Sequence, residues 1–215
     1  LHHSSVPYSA VPPTAANKEA EALPVTEKEV LEVQHKWADA IKVISSAYKS
    51  GGDFVGTAAA AAGELYAYEH GNVLFKPTKA AKHQFRPQAT DAMSYFVGNA
   101  NVDGGHAEDG GFAINGGKGW SEVVYDNHKV EIQGGVGIAM GNYYFACAAS
   151  GNETKVEYTF GYKRCGDGKV RIFLHHSSVP YSAVPPTAAN KEAEALPVTE
   201  KEVLEVQHKW ADAIK

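Results

Sequence analysis

The 215-residue chain has a formal net charge of −5 with its Lys, Arg, Asp and Glu interspersed, so it presents no basic face to a phosphate backbone and nucleic acid is not an expected partner. No apolar run approaches the roughly 20 residues needed to cross a bilayer, and Ala58 to Ala62 is too short and too weakly hydrophobic, so a soluble domain with no membrane partner is expected. Cys147 and Cys165 are the only cysteines, which excludes a disulfide framework and a C-x-x-C metal knuckle.

A repeat sets the domain organisation. Leu1 to Lys42 recurs residue for residue as Leu174 to Lys215, so the chain is one full period followed by the start of a second copy, as in a tandem array. Residues 1–25 are expected to be the tail of a preceding repeat and a linker rich in Ala and Pro. Residues 26–181 form the compact domain, 182–198 the connector, and 199–215 the first helix of a next, truncated repeat. The apolar residues of that last helix, among them Val203, Leu204, Trp210 and Ile214, need cover from a neighbour.

In chain order the domain is helical first and stranded afterwards. Thr26 followed by Glu29 is a capping box, and Val30, Val33, Trp37, Ile41 and Ile44 then recur at helical spacing until Gly51-Gly52. Phe54 to Tyr68 is expected to form a second, Ala-rich helix, and Asn72 to Lys76 a short strand ended by Pro77. A third helix is expected between Gln88 and Val97, with Met93, Phe96 and Val97 buried and Gly98 at its end.

From Gly110 the pattern changes to period two with Gly-rich turns, as in an antiparallel meander. Strands are expected near Gly111–Asn115, Trp120–Asn127, Lys129–Met140, Asn142–Ala149, Lys155–Arg164 and Lys169–Ser178, with a bulge or bend at Gly134-Gly135. Helices followed by a strongly bent antiparallel sheet make an α+β layer architecture. A sheet curled around a long helix leaves a pocket at its open end, where small ligands bind.

The last strand can be resolved into faces because successive side chains alternate. Val170, Ile172 and Leu174 share one side, which is apolar and faces the core. Unless a bulge intervenes, the same parity puts His176 and Ser178 inside and His175 and Ser177 outside. An inner face that turns from apolar to polar marks where core becomes pocket wall; the bland alternative is that these polar residues only satisfy backbone groups at a strand end.

Val73-Leu74-Phe75-Lys76-Pro77-Thr78, Phe85-Arg86-Pro87, Ser94-Tyr95-Phe96-Val97-Gly98 and His175-His176-Ser177-Ser178, in that order, resemble the iota-class carbonic anhydrases. The resemblance runs from about Val30 to Ser178 and includes the tandem organisation, since algal members are multi-repeat chains. It implies a SnoaL-like, ketosteroid-isomerase-like cone, N-terminal helices packed in a curved antiparallel sheet, and activity without a metal ion or cofactor. Carbon dioxide and bicarbonate are the implied small-molecule partners, and a homodimer or pairing with adjacent repeats the expected assembly. An algal plastid is the implied setting, a soluble bacterial compartment the alternative.

Carried over by position, the site falls on Thr78, Tyr95 and Ser178, with His176 beside the serine and Ser177 as the neighbouring alternative. Three hydroxyls can donate to and accept from a planar oxyacid without trapping it by charge. The bland alternatives are ring packing for Tyr95 and a turn role for Thr78. His175 and His176 point to opposite faces of a strand and cannot both hold one ion, although a site assembled from His83, His106 and His176 stays open. Without a metal, water needs a general base, and His176 is the expected base or proton shuttle, histidine being the side chain that titrates nearest neutrality. Two other classes remain: a non-catalytic association module of the same cone, and another cone enzyme, for which no Asp-His pair stands out.

Overall fold

The computed structural model describes residues 23–182 together with Lys18 and Glu21. Its elements lie in the first of two units, Leu1–Pro180 and Tyr181–Lys215. The expected connector beyond Ser182, the helix expected at 199–215 and the strand-end copy Leu1–Ser5 lie outside the described residues.

Helix α1, Glu27–Lys49, starts where the capping box places it. The Glu29 N–H donates to the Thr26 hydroxyl, and the Glu29 carboxylate accepts from the Thr26 N–H at 2.9 Å. The preceding Leu23–Val25 belongs to the domain rather than to a linker. Val25 is buried and bonded to the Gly134 carbonyl, and Arg164 donates to the carbonyls of Leu23 and Pro24. Helix α2, Phe54–Leu65, ends a turn earlier than expected, because the Tyr66 backbone bridges to Ile172 of the sheet. Helix α3, Ala89–Val97, buries Phe96 and Val97 as expected while Met93 is only half-buried.

Among the described residues five strands form one sheet, β1 Leu74–Lys76, β2 Trp120–Gln133, β3 Val136–Cys147, β4 Glu153–Arg164 and β5 Val170–Ser178, in the order β1-β5-β4-β3-β2. The four long strands are an antiparallel meander, whereas β1 lies parallel to β5 with Phe75 opposite His175. The sheet is therefore mixed, and its helices and curved sheet make the α+β cone.

Several expected boundaries move, each for a physical reason. Gly134-Gly135 is a two-residue hairpin turn between Gln133 and Val136, with Gly134 at φ 56°, not a bulge inside a strand. The break expected near His128 is a bulge inside β2, where Asn127 pairs with Gly141 and Lys129 with Met140. Gly141, which resembles a turn residue in the sequence, is instead needed for close approach: a Cβ there would come within 2.2 Å of the Asp126 carbonyl. Gly111–Asn115 forms turns rather than a strand and leads into a 3₁₀ turn, Asn115–Gly117.

The core sits between α1 and the concave face of the sheet. Trp37 of α1 is at its centre, with the rings of Tyr125, Tyr143, Phe145, Phe160 and His175 at 5.7 to 6.2 Å. Cys147 and Cys165 are both free and buried.

Candidate active site

The end of β5 does not follow simple alternation. Gly161 of β4 pairs with Leu174 but Tyr162 pairs with Ile172, so Phe173 is an unpaired extra residue and the strand carries a bulge there. From that point every side chain changes face. His175 and Ser177 point inward, each 2% exposed, while His176 is exposed and Ser178 half-buried. The expectation that His176 and Ser178 face inward is thereby corrected. His176 and Ser178 line a groove with Met140 and Glu157 on the other side of the sheet, and the Ser178 hydroxyl lies 3.4 Å from the Glu157 carboxylate.

The inward residues join a neutral chain of hydrogen bonds. The Trp37 indole N–H donates to the Tyr66 hydroxyl at 2.9 Å, and that hydroxyl lies 2.7 Å from Nδ1 of His175. Nε2 of His175 is 3.3 Å from the Ser177 hydroxyl and 3.4 Å from the Tyr143 hydroxyl. Thr78 donates to Ser177 at 3.1 Å. Pairing of β1 with β5 explains that contact, since Pro77 ends the three-residue strand and Thr78 follows it alongside Ser177. Tyr95 of α3 is 5% exposed, and its hydroxyl sits beside the Lys79 N–H and the Thr78 side chain.

Burial keeps this cluster uncharged. It pushes the hydroxyls of Tyr66, Tyr95 and Tyr143 well above the usual phenol range. It lowers His175 well below the usual imidazole range, with adjacent His176 adding to the effect. The ring of His175 is held between Phe75 and Phe160 at 4.5 and 4.0 Å. Tyr95 also lines a cavity of about 370 Å³ with Lys79, Glu108, Asp109, Phe112 and Lys118.

A second, charged network fixes the loop that carries Thr78 and Lys79. Arg86 is fully buried and makes a bidentate bond with Asp109 at 2.8 and 2.9 Å, and Ser94 donates to the same carboxylate at 2.6 Å. Glu108 accepts from the backbone N–H groups of Ala81, Lys82 and His83, which hold its carboxyl at about 2. His83 stacks on His106 at 4.5 Å, and His106 bonds to Asp91 at 3.0 Å. No group of three His, Cys, Asp or Glu side chains arranged to hold a metal ion occurs among the described residues.

Of the four residues expected from sequence, the structure brings Thr78 and Tyr95 together and leaves His176 and Ser178 outside. Ser177, His175, Tyr143 and Tyr66 complete the cluster. Gly161 carries the signal for the face change, because a Cβ there would come within 2.9 Å of the Phe173 ring and of the Leu174 Cβ, and an isolated strand glycine marks a bulge or a close approach.

A family model for metal-independent carbonic anhydrase matches residues 28–179. A curated relative from Nostoc sp. (strain PCC 7120), named metal-independent carbonic anhydrase, is 37% identical over 160 residues, which are 73% of this chain and 75% of the relative. A crystal structure of the iota-carbonic anhydrase from a cyanobacterium complexed with bicarbonate aligns with a TM-score of 0.68 at 34% identity, covering 74% of this chain and 95% of the other.

Proposed function

The chain belongs to the metal-independent, iota-class carbonic anhydrases, and on that footing we propose that the hydroxyl cluster at Thr78, Tyr95, Tyr143 and Ser177 is where it hydrates carbon dioxide reversibly. The observation that carries the assignment is the 3.1 Å contact between half-buried Thr78 and buried Ser177, in a cluster with no charged member. A neutral pocket of hydroxyls fits both partners of the reaction. Carbon dioxide enters without losing strong hydration, and bicarbonate is recognised by donors that do not hold it as a fixed cation would.

The exposed position of His176 removes it from water activation in this scheme. A hydroxyl that accepts one proton while giving another can pass charge without becoming ionised. As the water oxygen bonds to the carbon of carbon dioxide, one C=O electron pair moves onto oxygen. A water proton passes to Thr78, the Thr78 proton to Ser177, and the Ser177 proton to the new oxyanion. Carbonic acid leaves and ionises in solvent, so atoms and charge balance. Tyr95 and Tyr143 donate to oxygens on which negative charge develops.

Stopped-flow hydration of carbon dioxide, run with and without a strong chelator, tests the proposal. Activity is expected to persist in the chelator; complete loss that zinc restores would sink it.

A further inference from the structure

We infer that His175 is a positioning residue locked in a single tautomer, Nδ1 accepting and Nε2–H donating, and that this lock turns the Ser177 proton toward the reacting oxygen. The inference deepens the site assignment above and rests on it for its second half.

The lock follows from counting donors along the buried chain. An indole N–H can only donate, so Trp37 occupies a lone pair of the Tyr66 oxygen. Tyr66 has one proton of its own. Among the described residues, the other polar side-chain atom bonded to its hydroxyl is Nδ1 of His175 at 2.7 Å. If Nδ1 carried the proton, it would donate to the same oxygen, and the Tyr66 proton would be left without an acceptor in a fully buried site. With Nδ1 bare, every donor is used: Trp37 to Tyr66, Tyr66 to Nδ1, and Nε2–H to Ser177 or Tyr143.

Surroundings reinforce this polarity. Among the described residues, the titratable groups that face the ring are Tyr66 and Tyr143, both neutral because burial disfavours phenolate, while His176, next in the chain, points to the other side of the sheet. Phe75, Phe160 and Trp37 enclose it on the remaining sides. Its carbon edges therefore meet rings, while its two nitrogens meet hydroxyls.

Ser177 receives the consequence. Its oxygen accepts from Thr78 and lies within reach of Nε2–H, so its own proton is the one left to donate elsewhere. That is the direction the proton transfer from Thr78 through Ser177 requires. The opposite tautomer would draw the Ser177 proton to Nε2 and take it out of the reaction.

The test is a nitrogen-15 spectrum of the full chain labelled at histidine, with His175 assigned by loss of its signal in His175→Phe. The expected result is one neutral ring protonated at Nε2 and unchanged between about pH 5 and 8, the range in which histidine charge usually changes. Tyr66→Phe should abolish the single-tautomer signal and lower kcat by about 10- to 100-fold, with KM moving far less. His175→Gln, whose carboxamide can supply an N–H near the Nε2 position, should retain more activity than His175→Phe at equal melting temperature. A ring protonated at Nδ1, a ring that becomes charged in that range, or full kcat in His175→Phe would overturn the inference. A chain with the stated tautomer but no hydration activity keeps the lock and overturns the site assignment instead.

Discussion

Two buried polar networks meet at α3, where consecutive residues serve different ones. Ser94 donates to Asp109 in a network built on a buried ion pair, while Tyr95 joins hydroxyls and a neutral imidazole. The charged network is paired where its charges meet: both Asp109 oxygens and both terminal nitrogens of Arg86 are spent on each other or on Ser94, while the buried Arg86 Nε–H has no partner among the described residues. Desolvated charge is stable only when paired in this way, so the carboxylate and guanidinium are committed to each other and clamp the loop. The hydroxyl network has no charge to satisfy. Its donors and acceptors can be shared with a small polar molecule and returned afterwards.

The comparison can be broken most severely at Arg86. Arg86→Met leaves Asp109 buried without its partner and should destabilise the domain by about 3–5 kcal/mol, read as a lower denaturant midpoint. Ser177→Ala and Thr78→Ala should weigh the other way, costing no more than about 1–3 kcal/mol of stability, that of an unmet buried donor, while lowering kcat by about 10²- to 10³-fold, the usual cost of one donor to a developing oxyanion. Gly161→Ala should cost about 1–3 kcal/mol by overpacking against Phe173 and lower activity as well, because the bulge sets the inner face.

Glu108 sharpens the contrast through pH. Its pKa of about 2 in the folded domain lies below its ordinary value of 4.5, chiefly because of the N–H groups of Lys82, His83 and Ala81. Its contribution is therefore complete above pH 4.5 and is lost as pH falls toward 2. Hydrogen exchange at residues 81–83 should rise over that window in the native chain, and Glu108→Gln should show the faster exchange already at neutral pH. The smallest effects are expected on the outer groove: His176→Ala and Ser178→Ala should stay within about 0.5 kcal/mol of the parent in stability, with kcat unchanged within error.

Much of this arrangement is legible in the sequence because its causes are local. The capping box at Thr26 and Glu29, the helical spacing through Trp37, and the change to period two after Gly110 each mark an element that the structure contains. Thr78 and Tyr95 are legible through the family resemblance, which covers the segments that carry them. What stays hidden depends on pairing between distant strands. The face of His175 is decided by an extra residue at Phe173, and that bulge exists only in relation to Gly161 on β4. Gly134-Gly135 and Gly141 exchange roles for the same reason, since a glycine that turns the chain and a glycine that admits a neighbouring backbone look alike until the partner strand is placed. Tyr66 and Tyr143 are hidden differently. On a strand or after a helix a tyrosine resembles core, and only the need of a buried hydroxyl for a partner separates the two cases.

The doubled letters of His175-His176-Ser177-Ser178 make the end of β5 tolerant of a register error. A slip of one residue ordinarily replaces every inward side chain with a different chemistry. Here it would exchange His175 for His176 and Ser177 for Ser178, so the inner face would still present an imidazole followed by a hydroxyl. The bulge at Phe173 chooses between two nearly equivalent spellings of one face. A strand of this kind can gain or lose a bulge upstream during divergence and keep its polar end, leaving the geometry around Tyr66 and Thr78, rather than residue identity on β5, to register the change.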